Sequence, residues 1–251
     1  MLYRIEKLIG MSIAATDGEI GKVKDIYFDD KHWAARYLVV QTGTWLDDRR
    51  VLISPFTIAS IDWDSRILRL TLSMERIKAS PSIDTDKAVS RQHEIELSGY
   101  YGYPGYWSGP LLWGGTLYPL IPTGEIAIVN QPATPGQAPS PPDPHLRSVK
   151  EVSGYNLEAT DAAIGHIEDF LIDNESWAIR YLVVNTRNWL PGKHVVIPPQ
   201  WIDRIEWQQQ RVYVGVQRAT VQHAPEYDPS LEFSRAGEAG LYQHYERPSY
   251  W

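Results

Sequence analysis

The chain has no cysteine, and among its 251 residues only 4 are Phe and 3 are Met. Without cysteine there is no disulfide framework, no thiolate nucleophile and no Cys-ligated zinc, although the compartment is left undecided. No stretch approaches the roughly 18 to 20 consecutive apolar residues of a membrane-spanning helix. The first ten residues, MLYRIEKLIG, lack the apolar run of a signal peptide. Positive charge is also scarce. Residues 1–99 carry 14 basic and 15 acidic side chains, 100–145 none and 2, and 146–251 carry 10 and 14, for a net charge of −7. Neither half offers the basic footprint that nucleic-acid binding relies on, so no nucleic-acid partner is expected. A soluble cytoplasmic protein follows, with peripheral attachment to the inner membrane as the alternative.

What the chain does have is a copy of itself. WAARYLVVQTGTWL at Trp33–Leu46 returns as WAIRYLVVNTRNWL at Trp177–Leu190, an offset of 144. The same offset takes Gly10 to Gly154, Asp17 to Asp161, Gly21 to Gly165, Asp25 to Asp169, Asp29 to Asp173, Pro55 to Pro199 and Trp63 to Trp207. Between residues 10 and 63 two dozen positions equal their partners. A period this long exceeds that of a solenoid repeat and suits one small domain plus a connection. Three segments are expected: a domain at 1–109, a connection at 110–145 and a second domain at 146–251.

Each copy reads as short strands joined by tight turns. IGKVKDIYF from Ile20 meets the polar turn Asp29–His32 and enters WAARYLVV, a hairpin with a four-residue loop. If Phe28 faces Trp33 across it, Asp25 stands opposite Arg36, and in the second copy Asp169 stands opposite Arg180. Both are expected as cross-strand ion pairs worth about 0.2 to 1 kcal/mol; an anion or catalytic site using the Arg is the alternative. WAARYLVV is apolar on both period-two faces, so it should be buried on both sides. VLISP ends at Pro55, which cannot donate to a ladder. Two further runs, at 57–63 and 67–72, complete a small antiparallel barrel. The second copy repeats the pattern at 195–198, 202–207 and 212–216.

Ser90 is placed as an N-cap for a helix ending before Gly102, and Ser234 stands at the same offset, before a helix weakened by two Gly. Each helix runs into an aromatic tail, YGYPGYW or YERPSYW, expected to wrap back over a barrel. Candidate partner contacts among these aromatics are Tyr103, Trp107, Tyr250 and Trp251, joined by Trp45 and Trp189, for which a core role is the favoured alternative. The connection opens with an apolar stretch at 110–129, read as packed chain with a strand at 126–129, membrane contact being the alternative. It continues as a Pro-rich spacer at 130–145.

Gly10, Asp17, Gly21, Asp25 and Asp29, with RYLVV at 36–40, TGTWL at 42–46, VLISP at 51–55 and YYGYPGYW at 100–107, resemble the PRC-barrel family, and both halves match. That family is named for the cytoplasmic domain of the photosynthetic reaction centre H subunit and includes the C-terminal domain of a ribosome maturation factor. The resemblance implies an all-β fold with short helices: two small antiparallel barrels in tandem, each followed by a helix and tail. It also implies docking onto other proteins rather than catalysis.

None of the seven His recurs at the 144 offset, and no Ser, His and Asp set does. Asp17 and Asp161 are read as turn residues. Asp29 with Asp30, and Asp173 with Asn174, are read as solvated turn residues, with a hard-cation site as the alternative. The expected function is a non-catalytic adaptor with no cofactor and no metal. Its partners are proteins of unknown identity, with a homodimer or a peripheral membrane complex as further options. An accessory of a photosynthetic or membrane electron-transfer complex is one alternative; an enzyme with a site private to one barrel is another.

Overall fold

A computed structural model describes residues 1–43, 46, 49–81, 89–120, 145–186 and 193–251. Trp45, Trp189, the strand expected at 126–129 and most of the Pro-rich spacer lie outside the described residues. The first copy supplies β1 (Leu2–Arg4), β2 (Ser12–Ala14), β3 (Glu19–Asp29), β4 (Ala34–Thr42), β5 (Arg50–Ile53), β6 (Ile58–Asp62), β7 (Ile67–Leu70), α1 (Met74–Lys78) and α2 (Arg91–Tyr101). The second supplies β8 (Leu146–Ser148), α3 (Val149–Val152), β9 (Asn156–Glu158), β10 (Ala163–Asp173), β11 (Ile179–Asn185), β12 (His194–Ile197), β13 (Ile202–Glu206), β14 (Arg211–Val214), α4 (Arg218–Gln222) and α5 (Arg235–His244).

The protein is mostly β, with two seven-stranded sheets of the same order. One runs β5-β4-β3-β2-β7-β6 and the other β12-β11-β10-β9-β14-β13. Among the described residues the ladders leave β5 and β6, and β12 and β13, as path ends. β2 and β7 run parallel, as do β9 and β14; the other ladders are antiparallel.

The seventh strand of each sheet comes from the other copy. β1 pairs with β10 in the register Leu2↔Asp173, Tyr3↔Ile172, Arg4↔Leu171. β8 pairs with β3 as Leu146↔Asp29, Arg147↔Phe28, Ser148↔Tyr27. Adding 144 to each β1 residue and subtracting 144 from its β10 partner turns the first register into the second, so the exchange is reciprocal. The compact units follow suit. A first unit holds Leu8–Ser148 with Glu175–Trp177, and a second holds Met1–Lys7, Val149–Asn174 and Ala178–Trp251. The expected segments at 1–109, 110–145 and 146–251 are redrawn accordingly. Sequence period marks where a copy starts, but pairing decides where its first strand goes.

β4 is buried on both faces from Ala34 to Val40, as its apolar pattern predicts. Val23, Ile26, Leu38, Val40, Ile53 and Leu68 are buried in the core of the first unit; Ile167, Phe170, Leu182, Val184, Ile197 and Val212 take the equivalent role in the second. The β3–β4 turn is Asp30–Trp33, one residue later than expected. Trp33 closes it in a left-handed conformation (φ 52°), as Trp177 does in the second copy (φ 58°). This conformation is unusual for a bulky residue, and at Trp33 the ring is stacked on Phe28 at 5.1 Å. Both hairpins carry bulges, and Arg36 and Arg180 fall in them.

Gly21 and Gly165 explain their own recurrence. A Cβ at Gly21 would lie 1.9 Å from the Gln41 carbonyl oxygen, and one at Gly165 would lie 2.1 Å from that of Asn185. Gly99 in α2 has open space around it. Gly21→Ala is therefore expected to lower unfolding free energy by at least about 2 kcal/mol, while Gly99→Ala raises it by about 0.5 to 1 kcal/mol. Urea unfolding of the two variants reads both signs.

Candidate functional site

The most elaborate polar cluster lies where helix, tail and sheet meet, and it occurs twice. Ser90 caps α2 by accepting from the His93 amide, and Ser234 caps α5 by accepting from that of Gly237. One turn in, each helix points a glutamate inward. Glu94 is fully buried. Its carboxyl accepts from the Tyr106 hydroxyl at 2.7 Å and the Tyr37 hydroxyl at 3.3 Å, and meets Arg91 Nη1 at 3.3 Å. Glu238 accepts from the Tyr250 and Tyr181 hydroxyls, both at 2.8 Å, and meets Arg235 Nη1 at 3.3 Å. These three partners match at the 144 offset. Burial, and after it the carboxylate, hold Tyr106 well above the usual phenol range. Tyr181 is raised too, by burial first. These phenols keep their protons and serve as donors to a carboxyl that would be costly to bury alone.

A second layer ties the tail to the hairpin. Arg36 lies fully buried, with Nη2 donating to Asp29 Oδ2 at 2.9 Å and Nη1 donating to the Leu112 carbonyl at 2.6 Å. Its guanidinium lies 3.9 Å from the centre of the Tyr106 ring and 4.8 Å from that of Trp113. Trp113 in turn donates its indole N–H to the Ser176 carbonyl at 2.7 Å, within the first unit. Asp29 also accepts from the Lys31 and His32 amides and meets His32 Nδ1 at 2.8 Å. Burial pushes Asp29 up, yet the Arg36 charge and these hydrogen bonds outweigh it and hold the carboxyl below its usual value. The second copy is looser: Arg180 lies under Tyr250 at 4.4 Å, reaches Asp173 at 3.8 Å and keeps 23 % of its side chain exposed.

The remaining recurrent acids hold the exchanged strands. Asp25 Oδ2 accepts from Ser148 Oγ, the last residue of β8. Asp169 Oδ2 accepts from Arg4 Nε at 2.8 Å, the last residue of β1, and its Oδ1 accepts from the Glu6 amide. Asp30 joins in, meeting Arg147 at 2.9 Å. Asp17 and Asp161 accept from the amides of Met74 and Arg218 at 2.8 Å, fixing the first residues of α1 and α4.

The expected pairs Asp25–Arg36 and Asp169–Arg180 are corrected. The late turn and the bulges set Asp25 opposite Val39 and Asp169 opposite Val183, while Arg36 and Arg180 turn to Asp29 and Asp173. Asp29 is likewise buried rather than solvated. Of the candidate contact aromatics, Tyr103 is core, stacked on Phe56 at 5.1 Å. Trp107 and Tyr250 are half-buried against Arg91 and Arg180. Trp251, over Arg235 at 4.4 Å, stays more than half exposed. Glu94 and Glu238 are absent from the candidates read from the sequence; the signal that marks them is Arg91/Arg235, Glu94/Glu238 and Tyr106/Tyr250 repeating at the 144 offset. Among the described residues no group of three His, Asp or Glu is placed to hold a metal ion.

Residues 1–72, which hold β1 to β7, match the family model of the PRC-barrel domain. The match covers 72 of the 251 residues. No curated protein matches the chain significantly. The second β-rich region repeats the strand order of the PRC-barrel domain in the first, consistent with a tandem duplication. Among the described residues no helix is long and apolar enough to cross a membrane.

Asp169 gives this clasp a pH signature. Burial pushes its carboxyl up to about 6, outweighing the pull of Arg4 and the Phe170 amide. Arg4, which is wetter, is lowered by burial but raised more by the pair. The pair is thus attractive, while the carboxyl bears most of the desolvation. A folded value above the ordinary 3.8 means that this group's contribution to stability is full below that value and lost as pH rises through about 6. Asp169→Asn removes it. Going from pH 7 to pH 4.5, the variant should lose more unfolding free energy than the parent, by up to about 2 kcal/mol; urea midpoints at the two pH values measure the difference.

Proposed function

We propose that the protein is a non-catalytic protein-interaction module of PRC-barrel type that docks onto a larger protein complex. The observation that carries this reading is the segment after the first tail, where Leu111, Leu117, Tyr118 and Leu120 are exposed, Leu117 at 55 % and Leu120 at 61 %. From Leu97 to Gly124 the sequence has no charged residue. Exposed apolar side chains grouped in an uncharged segment mark an interaction surface. By contrast, the polar groups that recur in both copies are spent on one another, tying helix, tail and exchanged strand to the sheets. The same reading takes each sheet as curling into a closed barrel and the protein as cytoplasmic.

The test is comparative capture from native extract, with and without solubilised membranes, by the intact protein and by a Leu117→Asp, Leu120→Asp variant. The reading predicts a defined set of retained proteins that falls at least tenfold with the variant, whose circular dichroism is unchanged. Equal retention by both would overturn it.

A further inference from the structure

The second unit contains a cleft that nothing above uses. It has a volume of about 180 Å³ and lies between β12, the segment 225–234 and the first turns of α5. At about 30 Å³ per water it has room for one extended side chain. Val196, Tyr227, Phe233 and Leu241 give it an apolar, aromatic floor. Tyr227 is 4 % exposed and sets its ring edge-on to Phe233 at 5.7 Å; its hydroxyl has no hydrogen-bond partner among the described residues. Gly237 keeps the cleft open, since a Cβ there would come within 3.1 Å of the Phe233 ring. The first copy carries His93 at the corresponding position.

The rim is acidic. Every charged residue lining the cleft is a carboxylate: Glu226, Asp228 and Glu232. Asp228 is partly occupied, accepting from the amide and hydroxyl of Ser230. Glu226 and Glu232 have no ion-pair partner among the described residues. The cations nearby are committed elsewhere: Lys193 donates to the Gln222 and Ala224 carbonyls, and Arg4 is held by Asp169, Glu6 and Glu168. Three carboxylates around an aromatic floor, with no counter-cation supplied locally, match a side chain with an apolar stem and a cationic head. Leu231, exposed on the rim, adds a contact for a neighbouring apolar group.

We propose that this cleft docks a peptide segment presenting an arginine or lysine beside an apolar residue. The stem lies over Phe233 and Leu241 and the head among Glu226, Asp228 and Glu232. The proposal rests on the interaction reading but uses a different surface from Leu111–Leu120.

The probes are the capped tripeptides Leu-Arg-Leu and Leu-Glu-Leu, titrated into the full ¹⁵N-labelled chain. The expected result is saturable shifts at the Phe233, Ser234 and Gly237 amides with the arginine peptide alone, weakened severalfold by raising salt from 0.05 to 0.5 M. Glu226→Lys with Glu232→Lys should weaken binding at least tenfold; so should Gly237→Ala, which narrows the cleft without changing charge. Equal shifts with both peptides, no saturation, or undiminished binding by the charge-reversed variant would overturn the proposal. Shifts confined to residues 111–120 would also overturn it, yet leave the interaction reading standing.

Discussion

Two carboxylates, the half-buried Asp25 and the buried Asp169, hold the architecture together. Each sits on a long central strand and receives the last residue of a three-residue strand contributed by the other copy. Three ladder positions are a weak element by themselves. A side-chain hydrogen bond at the end of the strand, made in a mostly dehydrated place, adds the specificity that the ladder lacks. The exchange then settles much else. It assigns Met1–Lys7 to the second unit and Leu146–Ser148 to the first, so that neither sheet is completed by its own copy.

The second constraint is the buried glutamate at the start of each post-sheet helix. A carboxyl taken out of water must be surrounded by donors, and here the donors come from three places: the sheet (Tyr37, Tyr181), the helix itself (Arg91, Arg235) and the tail (Tyr106, Tyr250). The glutamate thereby welds elements that are distant in sequence. His145, immediately before β8, reaches Glu94 at 2.6 Å, so in the first unit the exchanged strand is tied to the same group as the tail. Arg36 and Arg180 show how one motif can be tuned: with Trp113 and the Leu112 carbonyl upon it the guanidinium is wholly dry, whereas under Tyr250 it remains partly wet.

Much of this was legible in the sequence, and the failures are instructive. Burial of β4 on both faces, the strand-ending Pro55, the N-caps Ser90 and Ser234 and the return of the tails follow from local rules, and the structure agrees with them. Hairpin register did not follow, because it depended on Trp33 adopting a left-handed conformation and on bulges at Arg36 and Lys24. A non-glycine residue gives no signal of either. The recurrence of Asp25 and Asp169 was visible, but its reason lay in a partner strand more than a hundred residues away. Strand exchange leaves no trace in composition or periodicity: both copies carry the same pattern whichever sheet the strand joins.

The most direct measurement is to insert a protease site at Gly136, cleave the folded protein there and determine its native mass. If each fragment still carries a strand of the other's sheet, the cleaved protein runs as one species at the intact 28.6 kDa; it then separates when Arg4→Ala and Ser148→Pro weaken the two exchanged strands. Separation of the unmutated fragments in native buffer at micromolar concentration would contradict the exchange and, with it, the role given to Asp25 and Asp169.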